Sequence, residues 1–103
     1  MDQQIFEEIK QLKHKLLPDE KVVLFGSQAR GDERENSDWD LMILLNKENL
    51  SPEDDDKYAF PFVLMGWKYG TYISVKLYTK MEWEKQKPSI FRYNIENEGI
   101  EII

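Results

Sequence analysis

Apolar residues recur at Ile5, Ile9, Leu12 and Leu16, with charged and amide side chains between them. That spacing predicts an amphipathic helix over residues 2–17, with Asp2 as its N-cap and Pro18 as its stop. Val22-Val23-Leu24-Phe25 then forms a short unbroken apolar run, the pattern of a buried strand, and Gly26 ends it. Residues 26–37 carry no apolar period and read as a loop or a short helix. Trp39 to Leu45 is a second buried strand, and Asn46 to Leu50 a connection. Ser51-Pro52-Glu53-Asp54 has the cap, the proline and the acids of a helix start. Tyr58, Phe62, Met65 and Tyr69 continue that helix to Gly70, with a kink expected at Pro61. Ile73, Val75 and Leu77 alternate with Ser74, Lys76 and Tyr78, which predicts a half-buried strand. Thr79 and Glu82 form a capping box for a short helix that ends by Pro88. Residues 89–98 read as a last helix with Gly99 as its stop, and Ile100 to Ile103 as a short edge strand.

Composition narrows what these elements can do. A chain of 103 residues has room for one domain, 1–103, with a helix and edge-strand tail at about 89–103. No apolar run approaches the ~20 residues of a membrane span. The first residues lack the basic start and apolar stretch of a secretory signal, so a cytoplasmic protein is expected. There is no cysteine, which excludes disulfides, thiolate metal sites and cysteine nucleophiles. The lone histidine, His14, stands between two lysines on the polar side of the first helix and is expected to be solvated. A net charge of -6 argues against binding a nucleic acid backbone. Any chemistry must come from carboxylates, hydroxyls, lysines and arginines.

The segment from Gly26 to Leu41 carries the candidate chemistry. Gly26-Ser27 follows a buried strand directly, where glycine admits a ligand close to the backbone. A helical turn starting at Ser27 would aim free amides and a hydroxyl past the strand end, which suits a phosphate. Arg30, one turn on, could add a charged fork. The plainer alternative is a strand-to-helix turn with a serine cap. Asp38 and Asp40 stand two apart at a strand entrance, so their side chains share a face, roughly 6.5–7 Å apart at Cα. Two such carboxylates repel unless a cation lies between them, and magnesium fits a pair that works together with phosphate oxygens. The plainer alternative here is a solvated strand fringe paired with Arg30 or Arg34.

The two blocks, Gly26-Ser27-Gln28-Ala29-Arg30-Gly31 and Ser37-Asp38-Trp39-Asp40-Leu41, together resemble the minimal nucleotidyltransferases of the DNA polymerase beta superfamily. The resemblance implies an α/β (α+β) fold with a small mixed sheet flanked by helices. It implies ATP or another nucleoside triphosphate as donor and Mg2+ as cofactor. Gly26 and Ser27 would then contact phosphates, Asp38 and Asp40 would hold the metal as the catalytic pair, and Arg30 would support the loop or touch phosphate. Many minimal members pair with an all-helical HEPN protein as antitoxin to its toxin, and some transfer AMP to a tyrosine of that partner.

One feature departs from that pattern. The family places a third carboxylate on the later strand, whereas Tyr72-Ile73-Ser74-Val75-Lys76-Leu77-Tyr78 contains no acid. Ser74 falls near the expected place and Lys76 follows two residues on; an outward polar strand face would explain both equally well. Glu33, Glu35 and the Asp54–Asp56 run are other acids that could fill the gap. Loss of a catalytic base typically costs ~10²–10⁴ in rate. The alternative to an active transferase is thus a catalytically weak nucleotide-binding antitoxin module, and a third reading is a homodimer with a vestigial site. Trp39, Trp67 and Trp83 could stack on a base, but the small core is expected to claim them. The aromatic residues between Tyr58 and Tyr69 exceed what one small core needs, and the excess would mark a partner surface. The apolar tail pairs inside the fold or with another copy. So small a chain leaves the acceptor site to a second protein.

Overall fold

The computed structural model describes residues 1–34 and 37–103. Four strands form one mixed sheet in the order β3-β2-β1-β4. β1 (Lys21–Phe25) runs antiparallel to both β2 (Trp39–Leu45) and β4 (Ile100–Glu101), while β2 and β3 (Ile73–Thr79) are parallel. The parallel pair needs a crossover, and the long helical stretch after Ser51 supplies it.

The alternation of side chains gives the sheet two unequal faces. Val22, Leu24, Leu41, Ile43 and Ile73 point to one face, where they pack with Ile5, Ile9, Phe62 and Met65 of the helices above. Val23, Met42 and Leu44 point to the other, under Trp83 and Ile95. β2 is therefore apolar on both faces along most of its length, which is why its sequence reads as a continuous run.

α1 (Gln3–Leu16) starts where Asp2 accepts hydrogen bonds from the amides of Gln4 and Ile5. Ile5 and Ile9 are buried, while Leu12 and Leu16 pack only partly against the core; Leu17, just past the helix, is fully buried. The second long helical stretch comprises α3 (Pro52–Asp54), a π-helical segment (Asp55–Ala59) and α4 (Phe60–Lys68). The kink expected at Pro61 is replaced by this wider turn, in which the Phe60 N–H donates to the Asp55 carbonyl. Pro61 has no N–H to donate and its ring crowds the carbonyl four residues back, so one looser turn before it absorbs the misfit. Gly70, at φ 69, ends the helix.

Thr79 and Glu82 make the expected capping box for α5 (Lys80–Lys85). Ser89 caps α6 (Ile90–Glu98). Gly99 ends α6 at an ordinary φ of -67, and a Cβ there would collide with the Ile95 carbonyl and with Val23. The chain then enters β4 inside the fold, with Ile102 buried and Ile103 exposed. Among the described residues no helix is long and apolar enough to cross a membrane.

Two tryptophans match their expected core role, Trp39 between the sheet and the upper helices and Trp83 beneath the sheet. Trp67 does not. It is 57% exposed and stands edge-on to Phe60, which is also exposed. It falls one position off the Phe62–Met65 stripe, so α4 turns it away from the sheet.

Candidate active site at the entrance of β2

The site forms where β1 ends and β2 begins. Phe25 and Asp40 are opposite one another in the antiparallel pair, so the turn after Phe25 lies against the Asp40 carboxylate. Gly26 occupies the left-handed region at φ 77, and a Cβ on it would collide with Oδ2 of Asp40. The positive φ demands glycine here, and the Asp40 carboxylate takes up the space a side chain would need.

Beyond Gly26, α2 (Ser27–Arg30) is a single turn. Its internal bonds begin at Ala29 and Arg30, both donating to the Gly26 carbonyl, so the amides of Ser27 and Gln28 have no helical acceptor. The serine-cap alternative does not hold. Gly26 is the N-cap, and no hydrogen bond engages the Ser27 hydroxyl among the described residues. Gln28 is buried and donates through Nε2 to the Ser37 carbonyl at 3.3 Å, which ties this turn to the residue just before Asp38. Gln28 fell on a variable position of the motif and gave no signal in the sequence.

Asp38 and Asp40 flank Trp39, which is buried and whose amide donates to the Tyr72 carbonyl at 3.0 Å. That anchor fixes the intervening backbone and puts both carboxylates on the opposite side, as alternation requires. Asp38 is exposed and Asp40 half-buried. Burial, and then the neighbouring negative charge of Asp38, push the Asp40 carboxyl above its ordinary value, while Lys76 and Arg30 partly offset this. No ion pair with either carboxylate forms among the described residues, so the solvated-fringe alternative lacks its arginine partners. Arg30 instead bonds Asp32 at 3.1 Å and lies 3.7 Å from Glu98 at the end of α6.

Ser74 is the direct register partner of Asp40 in the parallel pair, and Lys76 that of Met42. Registered residues point to one face, so Ser74 stands beside Asp40 at the place expected for a third acid. Among the described residues the other acids do not fill it. Glu33 is bonded to the amino group of Met1. Asp54 belongs to the opposite end of β2, roughly 20 Å away for a strand of this length, and Asp55 and Asp56 follow it on the exposed helix surface. Glu35 lies outside the described residues. Among the described residues no group of three or more His, Cys, Asp or Glu could hold a metal. The donor set is two hard carboxylate oxygens beside free backbone amides, which fits one small divalent cation shared with a phosphate.

A four-stranded mixed sheet with helices on both faces, and a glycine-serine turn against an Asp-x-Asp strand entrance, define the nucleotidyltransferase class. A sequence model of the nucleotidyltransferase domain matches residues 3–99. The chain belongs to that family, as its resemblance to the minimal nucleotidyltransferases anticipates. It is 36% identical over 91 residues to a Methanocaldococcus jannaschii protein provisionally named as a protein adenylyltransferase, covering 88% of this chain and 83% of the relative. It also shares its fold with a chain from a toxin–antitoxin crystal structure with AMP-PNP, at a TM-score of 0.64 and 15% identity, over 95% of this chain and 72% of the other.

Proposed function

We propose that the protein is a cytoplasmic, Mg2+-dependent nucleotidyltransferase that takes ATP or another nucleoside triphosphate and transfers the nucleotidyl group, AMP in the case of ATP, to a hydroxyl of a partner protein. The observation that carries this reading is the Asp38–Asp40 pair, which forms no ion pair among the described residues and abuts a Gly26–Ser27 turn without a side-chain cap. The name of the Methanocaldococcus relative supports protein as the acceptor class, and the AMP-PNP of the structural neighbour supports an adenine nucleotide.

In this reading the amides of Ser27 and Gln28 and the Ser27 hydroxyl donate to phosphate oxygens. Asp38 and Asp40 hold the cation. A cation held there would supply polarisation of the phosphoryl oxygens and neutralisation of charge on the leaving group. Arg30 braces the turn through Asp32 and Glu98 and adds positive charge near Asp40. The acceptor oxygen attacks the α-phosphorus, forming a new P–O bond. The bond between the α-phosphorus and its bridging oxygen breaks, and pyrophosphate leaves with the electron pair. The hydroxyl proton passes to solvent, since Ser74 cannot take it as a carboxylate would.

The partner proposed is an all-helical HEPN-like protein in an antitoxin–toxin pair. Exposed Phe60, Leu64 and Trp67 on the outer side of α4 support contact with another protein chain. Ser74 opposite Asp40 favours a second reading, a nucleotide-binding antitoxin module with weak or no catalysis. Calorimetric titration with ATP, with and without magnesium, tests the binding common to both. Magnesium-dependent heat is expected, and no binding at millimolar nucleotide contradicts it. Incubation with α-labelled ATP and the product of the neighbouring gene then separates the readings. Labelled partner, lost in Asp38→Asn and Asp40→Asn, supports transfer; intact binding without label supports the module, and label surviving both substitutions contradicts the metal assignment.

A further inference from the structure

The face of the sheet that carries Asp40 holds a cation of its own. Lys76 lies on that face, two residues along β3 from Ser74. Its ammonium is 6.0 Å from the ring centroid of Phe91. That ring packs against Phe25 at 5.5 Å, and Phe25 is the residue opposite Asp40. The lysine therefore extends over the site side of the sheet. It forms no ion pair within 4.0 Å among the described residues.

Two divalent ions side by side need several carboxylates to bridge and balance them. Here the third place is taken by a hydroxyl, and the next residue on that face of β3 is a lysine. A second divalent ion would lack a ligand and meet an ammonium. An ammonium supplies one positive charge and up to three hydrogen bonds to phosphate oxygens. We infer that Lys76 takes the place of a second metal ion: the site binds nucleoside triphosphate with one divalent cation on Asp38 and Asp40, and the Lys76 ammonium holds a phosphate oxygen on the β3 side. This inference rests on the nucleotide-site reading above and adds its cation count and a nucleotide-contacting residue.

The test counts metal and measures nucleotide affinity, without turnover. The probe is an ATP analogue with a methylene between the α- and β-phosphorus atoms, with Mn2+ counted by electron paramagnetic resonance. Wild type is expected to bind one Mn2+ per chain at saturating analogue. Lys76→Met should bind the analogue about 10-fold more weakly, the loss of one charge-assisted contact, whereas Lys76→Arg should retain most of the affinity. Lys76 is exposed, so both variants should keep the wild-type circular dichroism and melting temperature. Ser74→Asp combined with Lys76→Met should bind two Mn2+. Two ions in wild type, unchanged affinity in Lys76→Met, or a single ion in the double variant overturns the inference. Failure of the site reading has another signature: wild type binds no analogue, or Asp40→Asn binds it as well as wild type does.

Discussion

The two ends of β2 carry acids in opposite circumstances. Beyond its C-terminal end, Asp54 closes a helix start. Its carboxylate accepts from the Ser51 amide at 2.7 Å and from the Lys47 ammonium at 3.0 and 3.1 Å. These bonds, with the Ser51 amide foremost, hold the Asp54 carboxyl below its ordinary value. At the N-terminal end, Asp40 is buried in part, repelled by Asp38 and raised above its ordinary value. One helix start is capped and neutralised by its own chain, and the other, at Gly26–Ser27, is left open beside two acids. Acids that stabilise a fold are satisfied within it, whereas unsatisfied acids held on a rigid strand mark where a ligand completes the structure.

That contrast can be broken by mutation. The largest effect belongs to the ligand: Asp40→Asn should weaken magnesium-nucleotide binding by at least about 100-fold in a calorimetric titration, as loss of a metal ligand does. Asp54→Asn should leave that affinity unchanged. Gly26→Ala comes next, since the new Cβ meets Asp40 and the residue is held at positive φ. It should cost about 1–3 kcal/mol in a urea melt and also lower nucleotide affinity.

Stability should respond with opposite signs at the two ends. Asp54→Ala should lower the melting temperature at pH 7 by about 4–8 °C, the shift that loss of one helix cap gives in a domain of this size. Because the folded pKa of Asp54 is depressed, its contribution is present above the unfolded pKa and is lost as pH falls through the folded one. The raised pKa of Asp40 works the other way. Its burden on stability is absent below the unfolded value and grows as pH rises through the folded one. Asp40→Asn should therefore raise the nucleotide-free melting temperature at pH 7 by a few degrees and have no such effect near pH 3. A melt of both variants across that range checks the two signs together.

Features set by neighbouring residues were legible in the sequence. The Asp2 cap, the Thr79–Glu82 box and the bounds of β2 depend on side chains within a turn or two. The Gly-Ser and Asp-x-Asp blocks were legible for the same reason, as local patterns tied to known chemistry. What escaped depends on which strands meet and in what register. The crowding of Gly26 by the Asp40 carboxylate comes from Phe25 facing Asp40 across the sheet. The tie from Gln28 to Ser37 spans a turn and a loop, and that from Arg30 to Glu98 reaches the end of α6. The placement of Ser74 beside Asp40 agreed with expectation, but only the parallel register of β2 and β3 makes it a fact of geometry. Trp67 was misjudged because composition counts aromatics without saying which side of a helix they take.

The central claim is that the open end of β2 is where a magnesium nucleotide binds. Backbone amide resonances followed during titration with magnesium and ATP test it most directly. The account predicts shifts concentrated at residues 26–30, 38–40 and 74–76, absent when Asp38 and Asp40 are both asparagine. Shifts centred on the groove between α1 and α4, or none at millimolar nucleotide, would contradict it.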